Sequence, residues 1–193
     1  MRGRMMNPST KDVTLYSGFI FDVLSEYRAM ERVCRPAFEM ARHLDPNDPL
    51  HLAPISTYNA ICDWIEKNVG VASIRDAGRA IGARVYARMV KDAKLGSAPP
   101  PSAILHELRR VASVMIQDPL HRGWEIVEDL PRRIVIRRTQ TFNCMLQEGL
   151  LLALVEKTSV LMPAARHLRC TRAGAPYCDY EVTWIERGGS AAR

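Results

Sequence analysis

Between Asp12 and Met115 apolar residues return every three or four positions, whereas beyond Asp118-Pro119 the period changes to two, interrupted once by an apolar helix. That change of period dictates the order in which the chain can use its elements, helices first and strands after. Asp12 to Arg42 reads as one or two amphipathic helices broken near Pro36, and Leu44-Asp-Pro-Asn-Asp-Pro-Leu50 as a turn-rich linker. A helix capped by Ser56 or Thr57 follows and closes at Gly70; another, capped by Ser73, runs to about Lys94, with Gly78 and Gly82 four apart where a neighbouring backbone can come close. The run Gly96-Ser-Ala-Pro-Pro-Pro-Ser102 is a break, after which Ser102 caps a helix to about Met115. Trp124–Glu128 and Ile134–Thr139 then predict two strands turned at Leu130-Pro131. Thr141 or Asn143 caps an apolar helix from Cys144 to about Lys157, and His167–Thr171 with Tyr177–Ile185 forms a closing hairpin. The expected class is α+β: N-terminal helices packed on an antiparallel sheet of about four strands, with a helix crossing between two hairpins.

With 193 residues, 47% of them hydrophobic and 25% charged, the chain is expected to build one domain over residues 12–187, of which 12–50 form a helical N-terminal extension. Residues 1–11 are expected to be disordered and 188–193 frayed. The start carries arginines with no apolar run behind them, so no signal peptide is expected, and no stretch reaches the roughly 18 apolar residues of a membrane helix. A soluble, cytoplasmic protein is the expectation. The net charge of +6 is compatible with nucleic acid, but the basic residues are scattered; only Arg132-Arg133 with Arg137-Arg138 forms a dense run. No helix-turn-helix or finger spacing accompanies it, so a basic nucleic-acid-binding protein is an alternative that is not favoured.

Five cysteines in a cytosolic context argue against a disulfide framework. Cys170 and Cys178 flank the turn of the final hairpin, where two thiolates can face each other, and Cys144 opens the preceding helix, where the helix dipole favours thiolate. His167 is a possible fourth ligand. In a regular strand residues three apart point to opposite faces, so His167 needs a bulge to join Cys170. From the residues alone, metal ligation and ordinary packing of small apolar cysteines stay open side by side.

Phe142 to Trp184, with Cys144, Cys170, Gly174, Cys178 and Trp184 in order, resembles the four-vinyl-reductase domain, which also forms the sensing part of phenol-responsive transcriptional activators. The resemblance implies a structural zinc held by Cys144, His167, Cys170 and Cys178, with His167 standing where that family has an acidic ligand. It further implies a bacterial, non-catalytic sensory or regulatory domain binding a small apolar or aromatic ligand, a partner protein carrying the output, and a homodimer. Asp45 through Gly82, with Trp64, Arg79 and Gly82, resembles an uncharacterised myxobacterial family of similar length. An accessory protein or enzyme of tetrapyrrole metabolism is a further alternative.

Trp124, Tyr86 and His106 are candidates to line a ligand cavity. His106 is also a candidate haem ligand, because haem-dependent nitric-oxide sensors share this general fold; haem is disfavoured because their Tyr-x-Ser-x-Arg signature is absent. His43, His51 and His121 are read as exposed. No Walker loop, GxGxxG, Gly-x-Ser-x-Gly or HExxH occurs, so no active site is expected. The small face Gly149-x-x-x-Ala153 is explained by close packing on the sheet, with a dimer interface as the alternative.

Overall fold

The computed structural model describes residues 10–92, 95, 96 and 98–186; the expected disorder of residues 1–9 and the expected fraying of 188–193 fall outside them. Helices α1 (Gly18–Glu26), α2 (Arg35–Met40), α3 (Ile55–Asn68), α4 (Val71–Asp92) and α5 (Pro101–Met115) precede the main strands β4 (Trp124–Leu130) and β5 (Arg133–Arg138). Helix α6 (Cys144–Glu156) then crosses to β6 (Val160–Arg169) and β7 (Cys178–Glu186). These four strands form one antiparallel sheet in the order β4-β5-β7-β6, so the α+β class and the helix between two hairpins are as expected. None of the described helices is long and apolar enough to cross a membrane.

Three short strands were not legible in the sequence. β1 (Thr14–Tyr16) lies between β2 (Leu52–Pro54) and β3 (Ile116–Gln117) in a second antiparallel sheet. Runs of two or three residues are too short to show alternation. They tie the beginning of the chain inward: Val13, Leu15, Ile20, Val23, Leu24, Tyr27 and Ala37 are all buried in the common core.

Helix starts also differ from expectation. α3 begins at Ile55 after Pro54, α5 begins at Pro101 after Pro100, and α4 begins at Val71, so Ser56, Thr57, Ser73 and Ser102 are not caps. Proline presets the helical φ and lacks an N–H that the first turn could not satisfy anyway, which makes it an alternative to a side-chain cap. Pro36 likewise lies in the first turn of α2 and starts a helix instead of breaking one. Gly70 does close α3, in a positive-φ conformation (φ 128°) that favours glycine.

Helix α6 is apolar almost all round and buried almost all round, packed between α4 on one side and β6 and β7 on the other. It touches α4 backbone to backbone. A Cβ on Gly78 would stand 2.1 Å from the Leu146 carbonyl oxygen, and one on Gly149 would stand 2.0 Å from that of Arg75. Gly82 faces Leu150 and Ala153 in the same way. The Gly149–Ala153 face is therefore taken up within the chain by α4, and the dimer interface suggested for it has no free surface to use.

Candidate metal centre

The parity of the strands decides what faces α6. On β5, Ile134, Ile136 and Arg138 stand opposite Val182, Tyr180 and Cys178 of β7, and on β6 His167 stands opposite Tyr180. The pairing of β6 with β7 shifts between His167 and Arg169, the irregularity that His167 needed in order to share a side with Cys170. Cys170 follows the end of β6, and a short turn of 3-10 helix (Thr171–Ala173) with Gly174 in the left-handed region returns the chain to Cys178. Asn143 holds the remaining ligand in place: its side-chain oxygen accepts from the N–H groups of Met145 and Leu146, 3.1 Å each, capping α6 immediately before Cys144.

These devices bring together Cys144, His167, Cys170 and Cys178, whose ligand atoms all lie within 4.8 Å of one another. The Sγ atoms of Cys144 and Cys178 are 3.5 Å apart, as are those of Cys170 and Cys144. Thiolates about 2.3 Å from a tetrahedral ion stand roughly 3.8 Å from each other, so little movement separates this arrangement from a filled site. The distances are too long for disulfides, and all five cysteines are free.

The histidine is already oriented. His167 Nδ1 lies 2.8 Å from Glu148 Oε2; the carboxylate can only accept, so Nδ1 carries the hydrogen, and in the neutral ring the lone pair is on Nε2. Nε2 is buried and has no hydrogen-bond partner. Glu148 is one turn beyond Cys144 on α6 and is anchored in turn by Arg75 of α4 at 2.9 Å. Burial pushes the Glu148 carboxyl up, but His167 and Arg75 outweigh it and hold it below the usual carboxylate range. Carboxylate–histidine pairs of this kind commonly fix the tautomer of a metal-binding imidazole.

The sulfurs are polarised too. Cys178 is drawn well below the usual thiol range by the hydrogen bond from Cys144, helped by Arg138 and by Thr171, whose N–H donates to its Sγ at 3.4 Å. Cys144 moves the opposite way, up, as the proton donor of the pair. Arg172, in the turn between Cys170 and Cys178, reaches Glu66 at 2.5 Å and Asp63 at 3.1 Å on α3, tying the hairpin tip to the helical layer.

The remaining candidates lie elsewhere. Trp124 is buried with its ring 5.8 Å from that of Tyr180, Tyr86 is partly buried on α4, and His106 is exposed with Nε2 3.0 Å from Asp129. None of the three lines either of two surface cavities, of about 570 and 440 Å³. His43, His51 and His121 are exposed. The dense basic run is not a free cationic patch: Arg133 pairs with Glu128 and Glu181, Arg137 pairs with Asp179, and Arg138 is buried.

No family model and no curated protein matches the chain. Solved structures do. An H-NOX protein from S. oneidensis in the Fe(II) ligation state matches with a TM-score of 0.62 and 15% identity over 90% of this chain and 98% of that one. The same organism's H-NOX protein in the Fe(II)NO state gives 0.61 and 15%, over 88% and 99%. The unliganded Fe(II) H-NOX protein from K. algicida gives 0.60 and 10%, over 90% and 98%. At these identities the likeness establishes the fold.

Three expectations are corrected by it. The four-vinyl-reductase resemblance is not upheld: the fold matches are H-NOX proteins along nearly the whole chain, and the tetrapyrrole alternative rested on that resemblance. Zinc came with the same resemblance and goes with it; what the structure contains is a ligand set, not a metal identity. The exclusion of haem is overturned as an argument from fold, because the matched proteins were solved in iron ligation states. The haem question then passes to the residues of this chain. His106, the one histidine on α5, is turned outward to Asp129, and His167 is engaged at the thiols.

Proposed function

We propose that this chain is a non-catalytic sensory or regulatory domain of the H-NOX fold, built around a metal centre at Cys144, His167, Cys170 and Cys178. The observation that carries the reading is the buried, unpartnered Nε2 of His167, held by Glu148 beside three thiols. A buried ring nitrogen with no partner costs free energy unless something occupies its lone pair, and a divalent, thiolate-preferring ion is the occupant that three sulfurs and an imidazole suit. Four protein ligands complete a tetrahedral shell and leave no position for water, so the ion acts as a clamp and not as a Lewis acid. It joins the start of α6 to the ends of β6 and β7. The response to a small ligand would be passed to a partner protein.

Metal analysis of the purified chain tests this. About one equivalent of a divalent ion is expected, lost in Cys170→Ser; less than half an equivalent in the unaltered chain sinks the reading.

A second reading is favoured by the fold shared with an H-NOX protein solved in its Fe(II)NO state: a small gaseous ligand bound through haem. It requires His106 to leave Asp129, or another donor to replace it. A Soret band in the purified chain supports it, and a flat absorbance scan after haem supplementation ends it.

A further inference from the structure

We infer that Arg138 is the built-in counter-charge of the four-ligand centre and thereby restricts it to divalent ions; the inference rests on the metal reading above. Arg138 is only 2% exposed, at the end of β5 directly opposite Cys178. Its Nη2 lies 3.2 Å from Cys178 Sγ and 3.5 Å from Cys144 Sγ. Its Nε and Nη1 are buried without hydrogen-bond partners, and among the described residues the partners of its Nη2 are the two sulfurs and no carboxylate.

A guanidinium does not deprotonate in a protein, so this is a permanent buried charge. An unpaired buried charge is strongly destabilising. Every other cation facing this corner has a carboxylate: Arg75 has Glu148, Arg137 has Asp179, and Arg172 has Glu66 and Asp63. Beside the guanidinium stand the Tyr180 ring, 6.0 Å from it, and the sulfurs of Cys178 and Cys144. Three thiolates and a neutral imidazole around a doubly charged ion carry one net negative charge, which the guanidinium cancels. A triply charged ion would leave the arginine uncompensated, and a singly charged one would leave an excess of negative charge.

The roles of the neighbours differ accordingly. Glu148 orients the imidazole, whereas Arg138 touches sulfur and sets the electron density there, as groups around a metal site do. Without it, the thiolates lose their nearest positive partner and release the ion more easily.

Cobalt(II) is the probe, because its sulfur-to-metal charge-transfer absorption reports on the thiolates. The full chain, Arg138→Lys, Arg138→Met and Arg138→Gln are loaded with cobalt(II), and the rate of transfer to a competing chelator is measured. Arg138→Met is expected to release cobalt at least tenfold faster, with its charge-transfer band moved to longer wavelength because electron-richer sulfur gives up charge at lower energy. Arg138→Lys should stay within about threefold of the unaltered chain. If Arg138→Met does not fold, Arg138→Gln, which keeps donors and removes the charge, must show the same loss. Release at the unaltered rate in the uncharged variants overturns the inference, as does equal loss in Arg138→Lys and Arg138→Met, which would make the arginine a matter of packing. If the unaltered chain takes up no cobalt, the metal reading itself has failed and this inference falls with it.

Discussion

The middle and the start of α6 are secured by opposite means. Along its length, Gly149 meets the backbone of Arg75 and Arg79 of α4, while Gly78 and Gly82 of α4 meet Leu146, Leu150 and Ala153, and the contact exists because atoms are missing. At its start, Cys144 meets Cys170, Cys178, His167 and Arg138, and the contact exists because particular atoms are present. The first region tolerates no addition and the second no subtraction. A helix can thus be fixed by shape in one place and by chemistry in another, and the two can be broken separately.

The largest effect is expected from Gly149→Ala. In an exposed helix this change would stabilise by about 1 kcal/mol. Here the new methyl would collide with backbone at Arg75, which cannot rotate away, so a loss of about 3 kcal/mol or more is expected in urea unfolding. Gly96→Ala, where nothing lies within 4 Å, is the matched control and should be close to neutral. Equal behaviour of the two would refute the picture of a backbone-to-backbone crossing.

Removal of the ion comes next. With free metal at a hundred times its Kd, chelation should cost about 2.7 kcal/mol. The thermal midpoint of the unaltered chain should fall on chelation while that of Cys144→Ser stays put, and Gly149→Ala should still respond, because the two regions are held independently. Asn143→Ala should cost about 1 kcal/mol by uncapping α6, and should also lower metal retention, since Asn143 positions Cys144.

The smallest effect separates the regions by pH. Burial raises the Glu66 carboxyl, but Arg172 and Asn143 outweigh it and hold it below its ordinary value. A depressed carboxyl contributes stability that is fully present above its unfolded value of about 4.3 and is lost as pH falls through the lower folded value. Arg172 is nearly half exposed, so the contribution should stay below about 1 kcal/mol. Unfolding midpoints followed downward from pH 5 should drop less in Glu66→Gln than in the unaltered chain, and an identical slope would remove Glu66 from the hairpin clamp.

Much of the architecture was legible because it depends on periodicity. The switch from helical to alternating spacing near Pro119 is where the main sheet begins, and the spacing of Cys144, Cys170 and Cys178 did bring three sulfurs together. Caps were misplaced because proline replaces hydrogen bonding with a fixed dihedral, which leaves no polar signal to read. The family resemblance went astray because it rested on the last 45 residues or so, whereas fold likeness is spread over the whole chain. Arg138 was missed by being counted in a basic run. Parity alone held the missing signal: it continues the inward series Ile134, Ile136, so the same alternation that buries the isoleucines buries it. Glu148 was likewise detectable as the residue one turn beyond Cys144. The α4 partner of Gly149 was not, since sequence shows a small-residue face without saying what will lie against it.

The tightness of the α4–α6 crossing has a mechanical consequence. Where helices touch through side chains, a small displacement is absorbed by rotamers, but where peptide groups touch, nothing soft lies between them. Any movement of residue 144 must therefore carry α4 along as a rigid lever. It would surface some distance away, towards the exposed far end of that helix where Arg88 and Lys91 stand. The corner of sulfurs and the outer skin of the molecule are thereby geared together without any loop having to reorganise.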